Sequence, residues 1–345
     1  MSAVRFVAAA SLALATTLPA TAQEAVLNLY SARHYQTDEA LYANFTKATG
    51  IKINRVEADD AGLLNRLKTE GAASPADVIL LVDAARLASA ERDGLFRPIK
   101  SAELEQRIPA VYRATPGADG TAWFGLSTRA RVIVYNKASV QRADADTYEE
   151  LADPKNKGKV CTRSGSHPYN LSLFGSMHER LGAAGLETWL KGVVANMARA
   201  PKGGDTDQIR AVASGECQIA LTNSYYLARL MLSSKPDDQA LVERIGVVMP
   251  NQDGAGTHMN IAGGAVARHS KNVGAAQKFL EYLAGDSAQA YFANGNNEWP
   301  VVATVRANNR ALDTLGNFKR ETIPVAAVAA SIGKVQQILD RAEYK

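Results

Sequence analysis

The sequence has few cysteines and no strong excess of charge of either sign. Its 345 residues include only two cysteines, too few for a disulfide-rich scaffold or a four-cysteine zinc site. Lys and Arg number 39 against 35 Asp and Glu, and no run of Lys and Arg exceeds two residues. A net charge of +4 without a basic cluster argues against nucleic-acid binding. Hydrophobic residues make up 46% of the chain, which excludes a disordered or collagen-like protein.

Residues 1–22 have the features of a secretory signal peptide. Arg5 supplies the positive start, residues 6–18 are an apolar run, and Ala20-Thr21-Ala22 is a small-x-small cleavage pattern. The apolar run is shorter than the roughly 20 residues that a membrane-spanning helix needs. We therefore predict cleavage near Ala22 and export to an oxidising space, most simply a bacterial periplasm. A membrane anchor is the alternative.

Short apolar runs alternate with helical patterns along the rest of the chain. Residues 77–82 (DVILLV) are almost wholly apolar, as in a strand that is buried on both faces. Residues 38–49 carry apolar side chains at helical spacing and stop at Gly50. This alternation of strand and helix patterns continues along the chain. It predicts an α/β fold with mixed, mostly parallel sheets that are flanked by helices.

The order of the elements predicts two lobes that are joined by crossing segments. Residues 125–135 are a long strand candidate at the first crossing, and the glycine-rich residues 251–257 lead into a returning strand at 258–267. We predict a first lobe from residues 23–125 and 252–300 and a second lobe from residues 126–251 and 301–345. Two such lobes form a hinge and a cleft, and ligands bind there in the loops that follow strands.

Three loops that follow predicted strands carry tyrosines. The first places His34 beside Tyr35, the second contains Tyr169, and the third contains Tyr225 and Tyr226. Each tyrosine lies at or near the start of a predicted helix. Both lobes would therefore contribute phenol groups to one cleft.

Clustered phenols suit a small, highly charged cation. A phenol has a pKa near 10 and loses its proton at neutral pH only to a strong Lewis acid. Hard oxygen donors match Fe³⁺, whereas Mg²⁺ and Ca²⁺ favour carboxylates, carbonyls and water. Three phenolates would neutralise the ion, and a fourth would leave a negative site that Arg129 or Arg229 could offset. The alternative is that these tyrosines serve only as amphipathic cleft residues, with His34 as an ordinary hydrogen-bonding group.

The two cysteines stand in the same relation to the second-lobe tyrosines. Cys161 lies eight residues before Tyr169, and Cys217 lies eight residues before Tyr225. A disulfide between them would tie together the strands that deliver these phenols and contribute about 3–4 kcal/mol. Preorganisation of the site and simple stabilisation are both compatible with such a bond, and two buried free thiols are the alternative.

The chain resembles the ferric-ion-binding proteins of bacterial ABC-type iron uptake, within the type II periplasmic binding-protein superfamily. The similarity covers essentially the whole mature chain. Its most specific stretches are YSARHYQTD (30–38), RARVIVYNK (129–137), residues 158–169, residues 223–226 and NEWP (297–300). It is strongest to the subgroup that holds iron with tyrosines and a neighbouring histidine.

The resemblance implies a ligand set and partners. Tyr35, Tyr169, Tyr225 and Tyr226 would bind Fe³⁺, with His34 as a conditional fifth ligand. Arg129, and less directly Arg229, would pair with a partner anion such as carbonate or lie as a cation behind the ligands. A monomer would deliver the ion to an inner-membrane ABC permease that a separate ATPase drives. The chain itself has no G-x-x-x-x-G-K-[ST] motif for ATP. The segment 297–299 has tryptophan where the family often has tyrosine, and we assign it no ligand role.

Two other functions stay open at this point. The same fold could bind an organic solute or oxyanion, with the tyrosines stacking on it or hydrogen bonding to it. A secreted hydrolase or metal-dependent oxidase is the other alternative. Ser31, Ser166 and Ser224 fall in candidate cleft loops, but no G-x-S-x-G elbow is present, so we do not expect an enzyme.

Overall fold

The structure is a computed structural model that describes residues 25–33 and 37–345. The predicted signal peptide, His34 and Tyr35 lie outside the described residues. Within the described part, ten strands form: β1 Val26–Ser31, β2 Lys52–Glu57, β3 Val78–Leu81, β4 Phe96–Arg97, β5 Phe124–Asn136, β6 Val160–Cys161, β7 Ile219–Asn223, β8 Ile245–Val248, β9 Met259–Ala267 and β10 Trp299–Pro300.

Twelve α-helices pack around these strands in the same part of the chain. They are α1 Asp38–Thr49, α2 Asp60–Glu70, α3 Ala84–Arg92, α4 Ala102–Arg107, α5 Pro168–Ala195, α6 Asp205–Ser214, α7 Ser224–Met231, α8 Pro236–Arg244, α9 Val273–Ala284, α10 Asp286–Asn296, α11 Arg310–Leu315 and α12 Val325–Arg341. Helix α1 ends where Gly50 adopts a left-handed φ of 74°, a conformation that glycine takes at little cost.

The strands are hydrogen bonded in the order β2-β1-β3-β9-β5-β7-β6, and β4, β8 and β10 pair at the side of this path. β1 is parallel to β2 and β3, and β6 is parallel to β7. The other pairs are antiparallel. The mixed sheet and its helices agree with the sequence. More strand pairs are antiparallel than we expected, because β5 and β9 are antiparallel to each of the several strands with which they pair.

Strands β5 and β9 lie where the two parts of the fold meet. The first half of β5 pairs with β9, from Phe124 opposite Gly264 to Ala130 opposite Met259. Its second half pairs with β7, beginning at Arg131 opposite Asn223, and with β8. One strand thus belongs to both halves of the molecule, as expected for a crossing segment. The predicted lobe bounds themselves stay a prediction.

Helix α5 contains a break. Gly182 has φ 68° and ψ 176°, which is not helical. The sequence predicts two helices at residues 170–181 and 186–197, and the structure joins their counterparts across this glycine. Helix α12 packs along α5 and also contacts α3. No helix in the described residues combines the length and apolar character needed to cross a membrane.

Candidate metal centre in the cleft

A cavity of about 410 Å³ lies at the carboxyl ends of the first three strands. One wall is formed by residues at or directly after the ends of β1, β2 and β3: Ala32, residues 57–60 and Val82. The facing wall is formed by Arg163, residues 167–169 and Tyr226. This position agrees with the rule that ligands bind outside the carboxyl ends of strands in open α/β sheets.

Tyr169 is held at the start of α5. Pro168 occupies the first turn, where its missing N–H costs nothing. The preceding residue, His167, is extended and caps the helix, because its Nδ1 accepts a hydrogen bond from the Tyr169 backbone N–H at 3.2 Å. The two rings meet edge to face with centroids 4.6 Å apart. These contacts fix the direction in which the Tyr169 side chain leaves the helix.

Tyr225 and Tyr226 lie in the first turn of α7, directly after β7. Ser224 anchors this turn, because its buried hydroxyl accepts a hydrogen bond from the Ala130 backbone N–H at 3.2 Å. The rings of the two tyrosines have centroids 4.2 Å apart. Tyr225 is buried, whereas Tyr226 is half-buried and lines the cavity.

The hydroxyl oxygens of Tyr169 and Tyr225 lie 3.1 Å apart. The structure therefore brings together the three tyrosines that the sequence assigns to the second lobe, although they come from two segments of the chain. The two first-lobe candidates, His34 and Tyr35, fall outside the described residues. Their sequence neighbour Ala32 lines the same cavity.

Arg129 lies beside this group at the end of the first half of β5. Its side chain is 1% exposed, and its guanidinium carbon lies 5.7 Å from the centre of the Tyr169 ring. Its three nitrogens are buried and make no hydrogen bond within the described residues. Burial lowers the pKa of Arg129, but Glu298, Tyr169 and Tyr225 raise it, with a net increase. The cleft therefore contains a permanent positive charge with free donor capacity.

Glu298 balances that charge, and the sequence analysis missed it. Its Oε1 lies 3.7 Å from Arg129 Nη1, and its Oε2 accepts from Ser127 Oγ at 2.8 Å and lies 3.4 Å from Arg33 Nη1. Both carboxylate oxygens are thus directed at basic or hydroxyl groups in the first half of the fold. In the sequence, this segment stands out only through the NEWP pattern (297–300). That pattern does not indicate that Glu298 pairs with Arg129.

Arg229 occupies a different position from Arg129. It is exposed on α7, and its guanidinium carbon lies 5.9 Å from the Tyr225 ring centre and 5.7 Å from that of Tyr226. It contributes positive charge on the faces of these rings. It is a cation near the outer side of the tyrosine pair.

Two titratable groups in the cavity wall have shifted pKa values. Burial, followed by the Arg163 and Arg131 charges, lowers the pKa of His167 to about 3. Because Nδ1 accepts from Tyr169, the proton of the neutral ring is assigned to Nε2. Burial raises the pKa of Asp60 to about 6, against the opposing hydrogen bond that its carboxylate accepts from the Val82 N–H. The wall therefore combines a neutral imidazole with a weakly acidic carboxyl group.

The expected disulfide is present. Cys161 and Cys217 are bonded, with Cα atoms 5.8 Å apart. Cys161 is at the end of β6 and pairs across the sheet with Ala220 of β7, just after Cys217. The bond ties together the two strands that precede the tyrosine-bearing helices. Among the described residues, no group of three His, Cys, Asp or Glu side chains could hold a metal ion.

The chain also matches a known family over most of its length. Residues 40–314 match the profile of the bacterial extracellular solute-binding proteins. The chain belongs to this family. Its resemblance to the ferric-ion-binding members is confirmed by relatives that carry such names.

Iron uptake protein A1 of Synechocystis is 46% identical over 319 residues, which span 92% of this chain and 87% of the relative. The Fe(3+)-binding periplasmic protein of Serratia marcescens is 27% identical, over 97% of this chain and 95% of its own. A Trichodesmium structure described as IdiA (FutA) in complex with iron and citrate ligands is 48% identical. It covers 93% of this chain and all of its own with a TM-score of 0.88. The two-lobed α/β fold of a type II periplasmic binding protein is thereby confirmed, and the named relatives bind or take up iron.

Proposed function

We propose that this protein captures Fe³⁺ in the cleft between its two lobes and delivers it to an ABC-type permease. The observation that supports the proposal most is the 3.1 Å approach of the Tyr169 and Tyr225 hydroxyl oxygens, with the Tyr226 ring centre 4.2 Å from that of Tyr225. Two phenol oxygens at this distance can bind one cation after losing their protons. The iron-related names of the relatives point to the same cargo.

The charges of the site suit a trivalent ion. Three phenolates, from Tyr169, Tyr225 and Tyr226, would neutralise Fe³⁺. A fourth from Tyr35, our proposed first-lobe ligand, would leave one negative charge, which the buried Arg129 guanidinium would offset. His34 would be a conditional fifth ligand, which need not bind the ion in every state. Because each phenol must lose a proton, binding should release protons and weaken as pH falls.

Arg129 is also the proposed partner of an anion. Its buried nitrogens have no hydrogen-bond acceptor in the described residues, so an anion beside the iron could accept from them. Carbonate is one such anion, and the Trichodesmium relative was solved with citrate. Arg229, on the outer side of the tyrosine pair, would add a weaker attraction for the same anion.

The two-lobed fold suits a cycle in which the protein captures the ion and then delivers it. With lobes at residues 23–125 plus 252–300 and 126–251 plus 301–345, closure would bring Tyr35 towards the three second-lobe phenols. The closed monomer would then bind a permease at the inner membrane, and a separate ATPase would supply the energy. The family consists of extracellular solute-binding proteins, which fits export to the periplasm after cleavage near Ala22. Membership of the same family supports a role in binding rather than catalysis.

An iron titration followed in the visible region tests the proposal. Added Fe³⁺ should produce a phenolate-to-iron charge-transfer band in the wild type. Tyr225→Phe should weaken both the band and the affinity. Tyr282→Phe is the matched control, because Tyr282 donates to the Leu41 carbonyl at 3.1 Å and is not among the residues that line the cavity. A wild type without a band, or a Tyr225→Phe variant with an unchanged titration, contradicts the proposal.

The size of the cavity keeps an organic solute as a second candidate. About 410 Å³ exceeds the volume of a bare ion and lies within the usual range for small-molecule sites. Calorimetry with citrate, with and without equimolar Fe³⁺, separates the two functions. Under the iron proposal, citrate binds tightly only with the metal, whereas tight binding of citrate alone favours the organic solute.

A further inference from the structure

A buried carboxylate, Asp205, connects the segments that carry the tyrosine cluster. Asp205, the first residue of α6, is 0% exposed. Its Oδ2 accepts from Arg131 Nη1 at 2.6 Å and from the Asn223 backbone N–H at 2.7 Å. Its Oδ1 accepts from Arg163 Nη1 at 3.1 Å. Asp205 is therefore fully partnered by three donors from three separate segments.

Two of these segments carry the tyrosines. Asn223 ends β7 and immediately precedes the helix turn with Tyr225 and Tyr226. Arg163 lies in the loop between β6 and α5, and its guanidinium carbon is 5.1 Å from the centre of the Tyr169 ring. The same carboxylate thus joins the loop before Tyr169 to the turn before Tyr225.

Arg131 extends this connection. Its Nη1 also donates to Asn223 Oδ1 at 3.1 Å, and its Nη2 donates to Asn170 Oδ1 at 2.7 Å. Asn170 follows Tyr169, and its Nδ2 donates at 3.0 Å to Thr162 Oγ1 and to the carbonyls of Arg163 and Ser164. The residues on both sides of the phenol pair are therefore fixed by one ionic network.

We propose that Asp205 is a positioning residue for the iron site, which sets the approach of Tyr169 and Tyr225 before the ion arrives. The expected effect of Asp205 on iron binding rests on the proposed function. The hydrogen-bonded geometry of the network does not. Buried ionic groups contribute little net stability against apolar replacements, and one of their uses is to fix a particular arrangement. Groups that orient metal ligands typically change metal affinity by about 10- to 100-fold when they are removed.

The alternative is that Asp205 only stabilises the fold, and Asp77 provides a matched control for that. Asp77 is 1% exposed and, like Asp205, partners several donors: Asn28 N at 2.9 Å, Ser270 Oγ at 2.8 Å and Asn272 Nδ2 at 3.2 Å. It lies just before β3, at the end of the strand away from the cleft. Asp77→Asn should destabilise the protein without reaching the tyrosines.

Fluorine NMR of metal-free protein labelled with 3-fluorotyrosine tests the positioning directly. Tyr169→Phe and Tyr225→Phe assign the two resonances. In Asp205→Asn, we expect both to shift or broaden, while in Asp77→Asn both stay at their wild-type positions. Unchanged Tyr169 and Tyr225 resonances in a folded Asp205→Asn variant would overturn the proposal.

Arg163→Gln serves if Asp205→Asn does not fold. Arg163 is partly exposed, so its loss should leave the fold intact, yet it removes one of the three donors to Asp205. The Tyr225 resonance, which Arg163 reaches through Asp205 and through the neighbouring Tyr169 ring, should then shift. A Tyr225 resonance identical to the wild type would reject the network as a positioning device.

Iron binding by the same variants separates the two proposals. Fe³⁺ affinity should fall roughly tenfold or more in Asp205→Asn and stay unchanged in Asp77→Asn. If the wild type binds no iron but the fluorine resonances respond as expected, the proposed function fails and the positioning role survives. If iron binds equally well to all variants and the resonances do not move, the positioning role fails alone.

Discussion

The carboxylate of Glu298 lies 3.7 Å from the Arg129 guanidinium, and both side chains are about 1% exposed. This ion pair is directly behind the tyrosine cluster, since Arg129 also lies over the Tyr169 ring at 5.7 Å. Glu298, which is far from Arg129 in the sequence, thereby fixes the position of the Arg129 guanidinium. The stability of the cleft therefore depends on Glu298.

Glu298→Gln should destabilise the protein by about 3 kcal/mol, because it leaves Arg129 and Arg33 buried without their shared carboxylate. The midpoint and slope of urea unfolding measure the change. Glu187→Gln is the control: Glu187 pairs with Lys191 and Arg341 on the surface, where an ion pair contributes much less. Equal losses in the two variants would contradict a buried role for Glu298.

Asp60→Asn should stabilise the protein at neutral pH. The pKa of Asp60 is raised to about 6 in the folded state, so the unfolded chain gives up this proton more readily and stability falls as pH rises from about 4 to 6. The variant avoids this penalty, about 3 kcal/mol above pH 6, because Asn cannot ionise yet keeps an acceptor for the Val82 N–H. Thermal unfolding at pH 4 and pH 7 checks it, and an advantage at pH 4 equal to that at pH 7 would count against it.

His167 should stay neutral well below the pH at which an ordinary histidine gains its proton. Burial and the Arg163 charge lower its pKa to about 3, whereas in the unfolded chain it titrates near 6.5. The unfolded state therefore binds more protons between these values, and this group costs stability as pH falls below 6.5. The imidazole proton resonance of His167, assigned with His167→Asn, should not move between pH 7 and 4.5. A midpoint near 6.5 would contradict the burial of this ring.

Removal of the disulfide should lower the free energy of unfolding by about 3–4 kcal/mol, since Cys161 and Cys217 close a loop with a sequence separation of 56. The double variant Cys161→Ala/Cys217→Ala, compared by urea unfolding with wild type under oxidising conditions, gives the value. Wild type treated with a reductant should behave like the variant. A change below 1 kcal/mol would mean that the bond does not constrain the unfolded chain.

Local patterns were sufficient for much of the fold. Residues 38–49 form a helix as predicted, because their apolar spacing and the glycine at their end are strong signals. The buried strand β3 is as apolar as a strand covered on both faces must be. Helix α3 was not predicted, since its buried face consists mostly of alanines, which do not produce a clear periodic pattern.

Some residues of the candidate site could likewise be predicted from local sequence patterns, and others could not. Tyr169, Tyr225 and Tyr226 could be found from the sequence because each starts a helix after a strand, a relation between neighbours in the chain. Glu298 and Asp205 could not, since their roles depend on arginines brought near only by folding. In the sequence, Asp205 looks like an ordinary acidic residue in the first turn of a helix.

Diffraction from crystals grown with Fe³⁺ at slightly alkaline pH, recorded at the iron absorption edge, tests the central claim most directly. We expect one anomalous peak within bonding distance of the hydroxyl oxygens of Tyr169, Tyr225 and Tyr226, on the side that faces Ala32. A crystal that is saturated with iron but shows no peak among these three oxygens, or a peak elsewhere in the molecule, would contradict it.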